Sequence, residues 1–217
     1  MNIIDTRSNI SLSKLKKGAA RNVPLFEIKE VEYVIPPLEF TDIIFQSIPS
    51  VEFFKHKELL KDKNVYSMGP STKSFLSQHG VDSICPDIPG SKELNKLLIK
   101  NNIESNYLIV KGEHGLSDVF NYLKENKKNV EEIICYKRTK LKNYDDIRIF
   151  FLDADAIIFS STYGVKIFFD EIYSDDIKAK LFGISDRIIS YISHCGYRAE
   201  LLNYFSSDIA KSIKSSI

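Results

Sequence analysis

The chain carries an internal repeat, and this limits the folds open to it more than any single motif does. Ile43-Ile44-Phe45-Gln46-Ser47 runs into Ile48-Pro49-Ser50-Val51, and 114 positions later Ile157-Ile158-Phe159-Ser160-Ser161 runs into Thr162-Tyr163-Gly164-Val165. Both copies read as a short apolar strand, a small polar turn and the start of an amphipathic helix. The helical spacing of Val51 and Phe54 is matched by Val165, Phe168 and Phe169. A short apolar run rich in β-branched residues suits a strand covered on both faces.

The spacing of 114 extends to a second pair, Val65 to Thr72 against Ala179 to Asp186, each a strand, a Gly turn and a helix. In this alignment Gly69 matches Gly183. The two helices close at Gly80 and Gly196, 116 apart, which predicts two extra residues inside the second helix. Glycine is a usual residue just past a helix end. A further helix is expected after Pro89-Gly90-Ser91 in one copy and after Ser206-Ser207 in the other, with serine as N-cap. One more strand–helix–strand unit lies in the middle: Tyr107 to Val110, a helix near Ser117 to Lys127, and a strand from Ile133 to Tyr136. Its weaker partner is the N-terminus, with a strand at Asn2 to Asp5, a helix near Ser11 to Ala20 and a strand from Leu25 to Ile28.

Strands alternating with helices imply parallel sheets with helices on both faces. The expected architecture is therefore α/β in two similar lobes. One is continuous over residues 37–140, and the other is built from both ends, 1–35 with 146–217. Pro36-Pro37 favours an extended connection between them. Two crossings, near Val34–Leu38 and Thr139–Tyr144, predict a cleft and a hinge, and clefts between domains are preferred ligand sites.

Charge and cysteine usage narrow the function classes. Thirty basic residues against 29 acidic ones leave a net charge of +1, whereas a dedicated nucleic-acid binder usually carries a basic excess. Cys85, Cys135 and Cys195 form no C-x-x-C pair and no even-numbered disulfide framework, so a reducing compartment is expected. No apolar run approaches the roughly 18 residues of a spanning helix. The reading is a soluble, cytoplasmic monomer without a membrane partner. His56, His79, His114 and His194 show no metal-type spacing, and no G-x-x-x-x-G-K-[ST] loop is present. Asp42 and Asp155 start matching strands at the edge opposite the turns and are read as solvent-facing.

Taken in order, several segments resemble the uroporphyrinogen-III synthase family. They are the Ile43 to Ser47 turn, Met68-Gly69-Pro70-Ser71-Thr72, Ile109 to Glu113 and Tyr136-Lys137-Arg138, and in the other lobe Ile157 to Ser161 and Gly183 to Ser185. The resemblance covers nearly the whole chain. It implies two flavodoxin-like lobes, the first discontinuous, joined by two extended linkers. It implies cyclisation of hydroxymethylbilane, a linear tetrapyrrole with eight carboxylates, to uroporphyrinogen III in haem biosynthesis. Water is lost, and the last ring inverts through a spiro intermediate. No metal or organic cofactor is implied.

The resemblance also implies a site. Strand-to-helix turns at the carboxyl edge of a parallel sheet offer backbone N–H groups to anions. Ser47, Gly69, Ser71, Thr72, Gly112, Glu113, Ser161, Thr162 and Ser185 lie at such turns and would face the substrate. Arg7 and Lys111 follow strand ends directly and would pair with its carboxylates. His114 lies in a loop of the same cleft. Tyr136 would assist loss of the terminal hydroxyl. Holding the bilane folded would select the isomer. The chain departs from the family pattern at Gly115-Leu116-Ser117, where an Arg is common, at Gly183-Ile184-Ser185-Asp186, and at Thr6-Arg7-Ser8, where Thr-Arg-Pro is common. These departures would also suit a non-catalytic tetrapyrrole-binding relative, which would saturate with ligand without changing the product isomer. A flavodoxin-like electron carrier is a third reading and would carry bound flavin.

Overall fold

The protein, seen in a computed structural model, is described over residues 1–9, 20–101, 105–203 and 209–214. The helix expected from Ser11 to Ala20 falls almost wholly outside these residues, as does the Ser206-Ser207 helix start. The strands are β1 (Ile3–Asp5), β2 (Arg21–Asn22), β3 (Phe26–Glu30), β4 (Asp42–Phe45), β5 (Asn64–Ser67), β6 (Asn106–Gly112), β7 (Asn129–Lys140), β8 (Ala156–Phe159), β9 (Lys180–Gly183) and β10 (Ala199–Leu201). The helices are α1 (Ile48–Glu52), α2 (Pro70–Gln78), α3 (Ser91–Asn101), α4 (Asp118–Glu125), α5 (Asp145–Leu152), α6 (Thr162–Ile167), α7 (Asp186–His194) and α8 (Ile209–Lys214).

The chain divides into two compact units, Met1–Glu27 with Thr139–Ile217, and Ile28–Arg138. The first holds a sheet of order β10-β9-β8-β1-β2 and the second a sheet of order β3-β7-β6-β4-β5. From β10 to β2 and from β7 to β5 every neighbouring pair is parallel. The segment after β3 belongs to the second unit for identifiable reasons. Val31 N–H donates to the Cys135 carbonyl, Lys55 N–H donates to the Tyr33 hydroxyl, and Lys55 pairs with Glu30.

Both sheets are covered on two faces, which is why Ile43 to Phe45 of β4 and all of β8 are apolar without alternation. Within the second unit Ile43, Phe45, Leu108, Val110 and Ile133 meet α1 and α2 through Val51 and Leu76. On the other face Ile44, Tyr66, Tyr107 and Ile109 meet α3 and α4 through Leu94, Leu98, Val119 and Leu123. Each such buried side chain contributes about 2 kcal/mol.

Register corrects the placing of the insertion. Asp42 pairs with Asn64 and Ala156 with Lys180, so the first strands are 114 apart but the second strands are already 116 apart. Helices α2 and α7 are also offset by 116 and are equally long. The two extra residues therefore lie before β9, where α6 continues into a π-helical turn, Phe168–Ile172, while the first copy has a 3₁₀ turn at Lys57–Leu60. Gly183 thus matches Ser67, and Ser185 matches Gly69. The glycine match failed because Gly183 meets a packing demand rather than a turn. A Cβ there would come within 2.9 Å of Ile188 and Ile189 side-chain atoms.

Asp42 departs from its expected exposure. It is fully buried, and it accepts hydrogen bonds from Thr41 Oγ1 at 2.5 Å and Asn64 Nδ2 at 3.1 Å. These donors satisfy a carboxylate that burial would otherwise penalise. Asp155 is exposed and accepts from the Asn2 N–H.

Candidate active site

In the second unit the carboxyl ends of β4, β6 and β7 bring Ser47, Gly112 and Tyr136 together. Ser47 is the N-cap of α1. Its Oγ accepts the Ser50 N–H at 3.3 Å, while Ser50 Oγ accepts the Ser47 N–H and donates to the Ser47 carbonyl. This reciprocal box fixes the Ser47 rotamer. Tyr136 Oη lies 2.9 Å from Ser47 Oγ.

A β-bulge puts the phenol there. Lys111 pairs with Ile134 but Gly112 pairs with Tyr136, which leaves Cys135 as the extra residue on β7. Cys135 and Tyr136 are consequently both buried in the same apolar cluster, against the alternation a regular strand would impose. The phenol ring lies where a side chain on residue 112 would stand. A Cβ on Gly112 would overlap Cζ and Cε2 of Tyr136 and approach its hydroxyl to 2.8 Å. The Glu113 N–H donates to the Tyr136 carbonyl at 2.8 Å, and the Phe53 ring packs nearby. Tyr136 ends 3% exposed, and Ser47 remains part-exposed.

The other residues singled out by sequence sort by environment. Lys111, expected to face a ligand carboxylate, is buried and ion-paired with Glu132 at 2.7 Å, so its charge is already matched inside the fold. Arg7 is buried at the equivalent register of the first unit, two residues beyond the Asp5–Ile158 pair as Lys111 is beyond Ile109–Ile44. Its N–H donates to Asp5, and its carbonyl accepts from Asn22. Glu113 and His114 are exposed, with His114 in the left-handed backbone region (φ 55°). Gly69 is the N-cap of α2 and supplies no side chain to it. Ser71 is part-exposed in the first turn, while Thr72 turns inward.

In the first unit Ser161 caps α6, accepting the Gly164 N–H at 3.1 Å, and Thr162 follows part-exposed. Ser185 is the N-cap of α7 but makes no capping hydrogen bond. The turns after β1, β8 and β9 are neighbours in one sheet, and those after β6, β4 and β5 are neighbours in the other. Helix α2 has no acidic residue in its first turn, whereas α7 carries Asp186 there. The second unit therefore offers the better seat for an anion.

Sequence reading missed Ser50 and Gln46. Gln46 Nε2 donates to the Leu116 carbonyl at 3.0 Å and ties the β6–α4 loop to the β4 turn. The Ser-x-x-Ser spacing of residues 47 and 50 was a usable capping signal. The bulge had none, because Ile133-Ile134-Cys135-Tyr136 is apolar throughout. Burial pushes the Cys135 thiol up to about 12, so it is not a nucleophile here. Among the described residues no three His, Cys, Asp or Glu side chains converge as metal ligands would, and no helix is long and apolar enough to cross a membrane.

The fold has solved relatives. Uroporphyrinogen-III synthetase from Helicobacter pylori superimposes with a TM-score of 0.73 at 15% identity, covering 99% of this chain and 98% of that one. A mutant uroporphyrinogen III synthase from Thermus thermophilus gives 0.58 at 12% identity, with 100% and 98% covered. At such identities the likeness speaks to the fold alone. No curated protein sequence matches. The family model described as "Uroporphyrinogen-III synthase HemD" matches residues 16–199. With that span taking in the whole sheet of the second unit, strands β2, β8 and β9 of the first and the Tyr136–Ser47–Gly112 constellation, the chain belongs to the uroporphyrinogen-III synthase family.

Proposed function

We propose that the protein cyclises hydroxymethylbilane to uroporphyrinogen III, with loss of water and inversion of the last ring through a spiro intermediate. The observation that carries this reading is the buried Tyr136 phenol held on Ser47 at the carboxyl edge of a parallel sheet, in a chain matched to the family over residues 16–199. A hydroxyl pair there can protonate the departing hydroxyl of the bilane. The substrate carboxylates would meet the strand-end turns, chiefly Gly69 and Ser71 at α2 and Glu113's neighbours in the β6–α4 loop, with Thr162 and Ser185 serving in the first unit. Arg7 and Lys111 would act by holding the strand ends in register rather than by direct pairing, since both are buried. The same reading takes the protein to act as a cytoplasmic monomer without a cofactor, its three cysteines reduced, and all three are free thiols.

The test is a coupled assay. Freshly generated hydroxymethylbilane is incubated with and without the protein, and the oxidised products are separated by isomer. A shift from isomer I to isomer III is the expected result. Isomer I alone from folded protein would overturn the cyclase reading in favour of a binding relative.

A further inference from the structure

We infer that Ser47 is the group that touches the leaving hydroxyl, with Tyr136 standing behind it as the proton source. The inference rests on the cyclase reading above and assigns the roles within that site. Among the described residues Ser47 is the only hydrogen-bond partner of the Tyr136 hydroxyl, at 2.9 Å. The phenol is 3% exposed and its ring packs closely against Gly112. A buried hydroxyl proton without an acceptor is costly, so the phenol donates to Ser47 Oγ. That oxygen already accepts the Ser50 N–H at 3.3 Å. With both lone pairs taken, the remaining valence of Ser47 is its own O–H. That O–H is left for a partner outside the pair, and Ser47 is the one part-exposed member of the two. Two donors onto one oxygen also polarise that O–H.

The proton path balances. As the hydroxymethyl C–O bond breaks, its electron pair leaves with oxygen. That oxygen takes the Ser47 proton and departs as water. The Tyr136 proton moves onto Ser47, leaving a phenolate. After the ring-closing C–C bond forms, the proton lost as the macrocycle regains aromaticity passes back through Ser47 to Tyr136.

The experiment compares kcat, isomer ratio and melting temperature for Ser47→Gly, Ser47→Thr, Tyr136→Phe and the double variant Ser47→Gly/Tyr136→Phe. Glycine is accepted at an N-cap, so the first change removes the hydroxyl while leaving α1 formed. A relay in series predicts equal losses in both single variants and no further loss in the double. A general acid is worth about 10²–10⁴-fold, and the low end, about 100-fold, is expected because the bilane also loses hydroxide unaided. Isomer III stays the product, and Ser47→Thr recovers most of the rate. If Tyr136→Phe is slow while Ser47→Gly turns over normally, the phenol meets the substrate directly and the inference fails. Losses that multiply in the double variant, or a normal rate in Tyr136→Phe, also overturn it. Failure of the cyclase reading is separate, since wild-type protein would then yield isomer I alone.

Discussion

Gly112 shows at the scale of one residue how packing space alone can require glycine. Its conformation is not the constraint, since its φ lies outside the left-handed region. Space is, because the Tyr136 ring fills the volume of any side chain. Gly112→Ala should therefore displace the phenol from Ser47 and lower kcat about as far as Tyr136→Phe does, with a smaller change in KM. Steady-state kinetics of the two variants side by side check this, and an unaltered kcat in Gly112→Ala would refute it. Lys111 and Glu132 make a second residue-scale case. The side chains are 6% and 22% exposed, so removing one partner strands a charge. Glu132→Ala should cost about 3 kcal/mol in urea unfolding. Replacing both by apolar residues should recover most of that loss.

At the scale of elements, the two copies are the same machine part with different fittings. Strands β5 and β9 and helices α2 and α7 coincide in length and register, yet α2 begins with Gly69-Pro70 and α7 with Ser185-Asp186. Helix-to-strand packing in the first unit demands Gly183, where an added methyl would press on Ile188 and Ile189. Gly183→Ala should destabilise the protein by about 1–3 kcal/mol through overpacking. The equivalent position in the other copy is Ser67, so a side chain is tolerated there. Thermal melting of Gly183→Ala against wild type tests this. Strand β7 supplies the other element-scale lesson. Its bulge leaves Cys135 without a partner on β6, and it turns Tyr136 onto the face that holds Ser47.

For the whole molecule the buried titratable groups make stability depend on alkaline pH. Burial raises Tyr66 and Tyr107 above their ordinary value, with Asp42 adding to both, and pushes Cys135 up to about 12. The folded state therefore keeps protons that the unfolded chain releases from about pH 9 upward. The unfolded state binds fewer protons there, so this stability is complete below about pH 9 and is lost as pH rises toward the folded values. Each group removes up to about 1.4 kcal/mol per pH unit within its window. Denaturation midpoints should fall between about pH 9 and about pH 10.5, and Cys135→Ala should show a shallower fall. A flat profile would contradict the burial of these groups. The pattern of short apolar strands, polar turns and helices at a near-constant spacing determined by itself the α/β class, the duplicated parallel sheets and the strand-end turns. Those follow from local periodicity and chain punctuation, which sequence records directly. Only the tertiary structure decided that the two-residue insertion precedes β9, that Asp42 and Lys111 lie inside with partners, and that a bulge seats Tyr136 on Gly112 against Ser47. Each of these depends on which side chains from distant strands share one small volume, and no window of neighbouring residues carries that information.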